Sequence, residues 1–413
     1  MNASFLPSLP LELSYPLLFG VLLVAGMMGG ELARFLKLPR IIGYVVVGFI
    51  IGPLGEPMGL GPLIDEARIF VDLALGLVLF VLGRRMDLRW MRREWTLAAT
   101  GVAESAFTFI SVFTVLVWLD FEPIKAGLAA AIAMTTSPAV LLFMTHETRA
   151  EGQVTERAIN LVALNGLVAS ILVTILLGSA HFSTSLDFET AVFLPLYLFV
   201  GSLALGAAMA AFARVIARSV ERSPDLHFTL IAGLVVAAVG IASLLKLPVI
   251  LALLAFGMFA RNTERGHDLL NVSLAPVGRL LYIVLFVITG ASMPIAGLAS
   301  AGWAALAFLL ARSAGKFIGV IAVAPLGGLN MKQAAGLGLA LMPMSTLALL
   351  MQHDVGKLFP SYADDLASVF IPVVVVMEVL GPLAVQFGLR YAGESLPDAT
   401  GAFRPFRPPS RKP

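Results

Sequence analysis

The 413-residue sequence has no cysteine, and only 13% of its residues are charged, against 59% that are hydrophobic. The first absence excludes disulfides, thiolate metal sites and cysteine nucleophiles. The second excludes a soluble globule, because so few charged side chains cannot clothe an apolar core. With a mean hydropathy of +0.93, the chain reads as an all-α polytopic membrane protein. Histidine is scarce too. His146, His181, His227, His267 and His353 all stand at or beyond the ends of apolar stretches, so no histidine proton relay is expected at mid-membrane. The stretches carry no Gly-x-Gly-Asp pair, His-Glu-x-x-His zinc site or Gly-x-Ser-x-Gly elbow. The chain is therefore not expected to be an enzyme, to hold a metal or cofactor, or to bind nucleic acid. The formal net charge of +2 says less than where the charges fall. The opening segment lacks a basic region ahead of its apolar run and reads as a short exported tail.

Stretches long enough to cross about 30 Å of hydrocarbon as helix fall near 15–35, 39–55, 67–84, 96–119, 126–145, 157–180, 188–213, 227–245, 247–261, 276–293, 301–326, 334–353 and 366–388, about thirteen in all. Alternate loops collect the cations: Arg34, Lys37 and Arg40; Arg84, Arg85, Arg89, Arg92 and Arg93; Arg149 and Arg157; Arg214, Arg218 and Arg222; Arg261 and Arg265; Lys332; and a basic tail with Arg390, Arg404, Arg407, Arg411 and Lys412. The opposite loops keep only Arg68, Lys125, Lys246 and Lys357. This bias predicts the N-terminus outside and the C-terminus inside, in the cell's inner (plasma) membrane. The segment "RNTERGHDLLNVSLAPVGRLL" mixes charge into the front of the tenth stretch and reads as lying partly along the cytoplasmic interface.

The sequence also repeats. "KLPRIIGYVVVGF" (37–49) returns as "KLPVILALLAFGM" (246–258), "LFVLGRRM" (79–86) as "LFVITGASM" (285–293), and "MTTSPAVLL" (134–142) as "LMPMSTLAL" (341–349). Seven spans separate the partners, so the second copy would run in the opposite sense, an inverted-topology repeat of the kind used by secondary transporters. Repeat one covers about 15–180 and repeat two about 227–388, joined by a linker helix at 188–213. Together they make a transmembrane domain of 1–390, followed by a short cytoplasmic tail, 391–413.

Two of the repeated stretches interrupt their own apolar run, at Thr135, Thr136, Ser137 and Pro138 and at Pro343, Ser345 and Thr346. Proline removes a backbone donor and clashes with the preceding turn, so each helix is expected to open at mid-membrane. Open backbone there is tolerated only where protein buries it or it lines a watery cavity, which makes the pair the best candidate for a transport site. Among ionisable residues at membrane depth, Glu104 is expected to pair with Arg312. That leaves Lys316, one turn away on the same helix, to bear on the site. Asp72 and Glu378 read as packing or capping groups nearer span ends.

The motifs "LPRIIGYVVVGFIIGP", "LVLFVLGRRMDL", "TTSPAVLLFMTHETRAEGQVTERAINLVALNG", "ARSAGKFIG" and "GLALMPMSTLAL" resemble the monovalent cation:proton antiporter family, the sodium/hydrogen exchanger-like membrane domain, over about residues 15–388. The resemblance implies a homodimer in which a core with two crossing broken helices moves as an elevator, exchanging a monovalent cation, sodium or potassium, for protons. In such relatives the sixth span carries an aspartate, preceded by Asn, Asp or Gln, that binds cation and proton in turn. Here the pair reads Asn165-Gly166, so only the amide remains. The relatives' eleventh span carries a Lys or Arg followed by two residues and Gly, which "KFIG" matches, so the resemblance gives that basic position to Lys316 and not to Arg312. The expected ion-binding set is Thr135, Thr136, Ser137, Asn165, Pro343 and Ser345, with Lys316, Arg312 and Glu104 for coupling or charge compensation. An amide cannot titrate, so two further readings stay open. One is transport of another, anionic or uncoupled, substrate on the same scaffold; the other is a non-transporting membrane component that serves a partner protein.

Overall fold

The computed structural model describes residues 15–55, 67–185, 188–219, 223–263, 275–293 and 302–395. Among these, sixteen α-helices and one short 3-10 turn account for the regular structure. The helices are α1 (Tyr15–Phe35), α2 (Arg40–Gly55), α3 (Arg68–Arg85), α4 (Leu88–Arg93), α5 (Trp95–Trp118), α6 (Pro123–Ala133), α7 (Pro138–Thr148) and α8 (Gln153–Ser185). They continue as α9 (Phe188–Ser219), α10 (Pro224–Leu244), α11 (Val249–Asn262), α12 (Ala275–Ala291), α13 (Trp303–Val323), α14 (Met331–Ala340), α15 (Thr346–Leu358) and α16 (Pro360–Tyr391). Each apolar stretch of the sequence falls on one helix or, at 126–145 and 334–353, on a pair. By length and composition, eight helical segments suffice to cross a membrane, counting α6 with α7 as one. Helices α8 and α9 run several residues beyond the stretches that mark them, and the short α4 has no apolar run of its own. The interfacial segment lies largely outside the described residues, as does the tail beyond 395.

The chain forms two compact units, 1–71 with 279–293 and 72–278 with 294–413. In the first, α1 and α2 approach through glycines: a Cβ on Gly43 would stand 2.0 Å from the Gly29 carbonyl oxygen. Further along α2, a Cβ on Gly48 would lie 2.9 Å from Gly290 Cα on α12, and one on Gly290 would lie 3.2 Å from Gly48 Cα. The second unit makes the same crossing with the repeat counterparts. A Cβ on Gly257 of α11 would lie 2.9 Å from Gly83 Cα on α3, and one on Gly83 would lie 3.0 Å from Gly257 Cα. Small residues let backbones touch where lipid provides no hydrophobic drive for association.

The repeated Lys-Leu-Pro shows a repeated conformation. Lys37 (φ 61°) and Lys246 (φ 53°) both take the left-handed region. The next residue closes the preceding helix in each case, Leu38 N–H donating to Ala33 O (2.9 Å) and Leu247 N–H to Ala242 O (2.8 Å). This is a Schellman-type end on a lysine, after which proline starts the next helix.

Within the second unit, α13 lies along α5. A Cβ on Gly315 would stand 2.6 Å from Thr108 Cα, and one on Gly319 would stand 2.5 Å from Glu104 Cα. The start of α14 is fixed by a capping box between Asn330 and Gln333, with bonds of 2.9 and 3.0 Å. The start of α8 is held from a distance. Glu394 accepts from Val154 N–H (2.7 Å), Thr155 N–H (2.8 Å) and the Thr155 hydroxyl (2.9 Å), placing a carboxylate at a positive helix end.

Candidate functional site

Two gaps in the helices face one another inside the second unit. Helix α6 stops at Ala133 and α7 begins at Pro138, while α14 stops at Ala340 and α15 begins at Thr346. Pro138 suits the first position of a helix because its missing N–H is one of the orphans there. The intervening residues are buried, Thr135, Thr136 and Ser137 on one side and Met342, Met344 and Ser345 on the other, so their polar groups must be satisfied by protein. They satisfy each other. Ser137 N–H donates to Pro343 O (2.9 Å), the Thr136 hydroxyl to Leu341 O (2.9 Å), and the Ser137 and Ser345 hydroxyls are hydrogen-bonded. Thr135 turns back to Ile132 O (2.8 Å).

Arg312 of α13 ties both gaps together. Its guanidinium donates to Ala133 O (2.9 Å), Thr135 O (2.7 Å), Met342 O (2.6 Å) and Pro343 O (3.4 Å). A cation therefore sits where α6 and α14 end, at their partially negative C-termini. The expected Glu104–Arg312 pair does not form. Lys316 is the residue that bonds Glu104 Oε1, and it also donates to Met134 O (2.9 Å) and the Thr136 hydroxyl (3.0 Å). The cause is register. With Gly319 on Glu104 and Gly315 on Thr108, the antiparallel helices bring Lys316 within one turn of Glu104, in reach of its carboxylate, and leave Arg312 a further turn away, beside Ser111, whose hydroxyl donates to Ala311 O (2.9 Å). The spacing Gly315-x-x-x-Gly319 is the sequence signal for that register.

Eight of the nine expected site residues thus lie in one hydrogen-bonded cluster. Asn165 is buried and stands to one side, its Oδ1 accepting from Ser105 (3.3 Å), next in sequence to Glu104. Among the described residues, three polar atoms in this region are buried without a hydrogen-bond partner: Asn165 Nδ2, Glu104 Oε2 and Thr108 Oγ1. Beside Asn165, the buried Gly166 has room for a Cβ, which would meet only Leu254 Cδ1, in ordinary contact at 3.5 Å. Ser105 and Thr108 escaped the sequence reading because a hydroxyl in an apolar helix announces nothing until its neighbour is known. Glu378 also departs in part from expectation. Of packing or capping near a span end, the position leaves packing alone, because Glu378 is fully buried in mid-helix on α16. Among the described residues, no group of three or more His, Asp or Glu side chains is arranged to hold a metal.

The sequence profile described as "Sodium/hydrogen exchanger, transmembrane" matches residues 19–390. The chain belongs to the sodium/hydrogen exchanger family. It is accordingly a multi-pass membrane protein of a transporter family, not an enzyme. Among solved structures, the fold is similar to that of the sodium proton antiporter MjNhaP1 from Methanocaldococcus jannaschii at pH 8, with a TM-score of 0.63 and 18% identity over 92% of this chain and 95% of that one. An electron-microscopy structure of the same antiporter gives a TM-score of 0.61 and 19% identity over 91% of this chain and 95% of that one. No curated protein sequence is matched. Within this exchanger family, the neutral Asn165-Gly166 pair beside a buried Lys316–Glu104 pair is the feature of the chain that bears most on mechanism.

Proposed function

We propose that the protein exchanges a monovalent cation, sodium or potassium, for protons across the inner (plasma) membrane. In this reading about thirteen spans run from an outer N-terminus to a cytoplasmic C-terminus. They form one domain over 1–390, as two inverted repeats joined by the helix at 188–213, with residues 391–413 as the tail. The protein is a homodimer, and the core with its two crossing, interrupted helices moves as an elevator. Family membership supports exchange as the activity. The repeated Lys-Leu-Pro turns and mirrored glycine crossings support the repeat.

The observation that carries the mechanism is the Lys316–Glu104 pair set against the two gaps. Asn165 and the hydroxyls of Thr136, Ser137 and Ser345 offer neutral oxygens to a hard cation but cannot exchange a proton for it. An arriving cation instead competes with the Lys316 ammonium for the Glu104 carboxylate. The ammonium then releases its proton to water, and reprotonation from the other side expels the cation. Charge is conserved at each step, because one positive charge leaves as one enters.

An anionic substrate is the second reading, favoured by two buried cations, Arg312 and Lys316, with only Glu104 paired to either of them. Against it, the Arg312 charge is spent on four carbonyls.

The test is transport by the purified protein in sealed liposomes with an internal pH dye, scanned across sodium, potassium and small anions. Sodium- or potassium-driven proton movement that Lys316→Gln abolishes is the expected result. Accumulation of an anion, or no transport of any ion, would reject cation exchange.

A further inference from the structure

Helix α16 carries a buried carboxyl group that no described residue bonds. Glu378 is fully buried, and among the described residues neither of its carboxyl oxygens has a hydrogen-bond partner. Four residues on, Pro382 lies within the same helix. Proline has no N–H to give to the carbonyl four residues earlier, and that carbonyl is Glu378's own. One residue therefore gathers side-chain and main-chain oxygens that the helix leaves without their usual donors.

The position is not remote from the gaps. Gly381 packs on the second one, where a Cβ would stand 3.1 Å from Pro343 Cα. At about 1.5 Å of rise per residue, Glu378 lies only about 4.5 Å along the axis from that contact. Helix α16 packs against α6, α7, α13, α14 and α15. The charged groups of α13 are both engaged, Arg312 with four carbonyls and Lys316 with Glu104, Met134 O and Thr136. Those of the other helices keep to the ends or the distal half: Lys125 in the first turn of α6, bonded to Asp365 of α16 (2.6 Å); His146 and Glu147 in the last turn of α7; Lys332 at the start of α14; and His353, Asp354 and Lys357 in the second half of α15. On α16 itself, Asp364, Asp365 and Arg390 also lie near the ends. A bare carboxylate at 378 would face neither a cation nor a donor, and an isolated buried charge is strongly disfavoured. The partner that the geometry leaves for it is a proton.

We propose that Glu378 is a proton-carrying site. Its carboxyl holds a proton while α16 is closed against the gap at Pro343. When helix and gap part, the O–H bond breaks, the proton passes to water and a carboxylate remains. The site adds a second titrating group to the Lys316–Glu104 pair and supplies a carboxyl that residue 166 lacks. What the proton is exchanged against rests on the reading given above; the site itself does not.

Infrared difference spectra of the full-length protein in liposomes, taken between about pH 5 and pH 9, read the C=O stretch of a protonated carboxylic acid. The parent is expected to show such a band, falling as pH rises, and Glu378→Gln to lack it. Glu378→Asp, which keeps the acid but moves it, should retain a band with a shifted frequency or midpoint. In the transport assay, Glu378→Gln should lower cation-driven proton movement at least tenfold and flatten its pH profile, with partial recovery in Glu378→Asp. A band that neither titrates nor responds to substitution overturns the site, as does a folded Glu378→Gln protein with the parent's flux and pH profile. If Glu378→Gln does not fold, the assignment falls to Glu378→Asp, and an unmoved band rejects it. A titrating Glu378 band in a parent that moves no cation keeps the site and rejects cation exchange. An active parent with a silent Glu378 rejects the site alone.

Discussion

Lys316 and Glu104 meet across α13 and α5 with 0% of either side chain exposed. Removing one partner strands a charge in the bundle, a loss of about 3 to 5 kcal/mol. Glu104→Gln and Lys316→Met should each lower the thermal unfolding temperature in detergent, and the double variant should recover much of the loss. A Glu104→Gln protein as stable as the parent would show that the pair contributes nothing to the fold.

The contrast between two glycines tests the packing. At Gly166 a Cβ meets only Leu254 Cδ1 at 3.5 Å, whereas at Gly319 it would stand 2.5 Å from Glu104 Cα. Replacing a mid-helix glycine that has room around it should stabilise by about 0.5 to 1 kcal/mol, the gain expected for Gly166→Ala. Gly319→Ala should destabilise and shift the pH dependence of transport, because it pushes Glu104 away from Lys316. Equal melting temperatures for the two variants would contradict this account of the register.

Gly166→Asp follows from the same tolerance of a Cβ at this position. The variant should fold and place a carboxylate beside Asn165, adding a group that titrates in competition with the cation. Liposome assays should show sodium- or potassium-driven proton movement gained or its pH profile moved. Loss of folding would mean that the space at 166 closes when a charge enters it.

The Glu394 clamp on α8 predicts a milder loss. Glu394→Ala leaves Val154 N–H and Thr155 N–H without their acceptor, a cap loss of about 1 kcal/mol. Hydrogen exchange at the first turn of α8 should rise, while exchange at the buried Leu161 to Ala163 stays slow.

The gaps are legible in the sequence, because Thr-Thr-Ser-Pro and Pro-Met-Ser-Thr break apolar runs that otherwise support helix. The recurrence of Lys-Leu-Pro is legible too, and both of its lysines take the left-handed turn. The partner of Glu104 is not, since Arg312 and Lys316 share one helical face and only the contact of Gly315 and Gly319 with α5 decides between them. Nor is the isolation of Glu378, because a hydropathy profile records one residue's neighbours in sequence, and the absence of a donor is a property of five other helices. Glu394 lies beyond the last apolar stretch, and its bond to α8 spans about the whole intervening fold.

One guanidinium has a mechanical consequence. Because Arg312 grips carbonyls from both gaps, and Ser137 and Ser345 are joined across them, neither gap can widen alone without tearing the other's bonds. Force applied to α7 is delivered to α15 through a joint a few ångströms across. The two gaps are therefore tied by shared bonds, and separating one from the other would break hydrogen bonds of both.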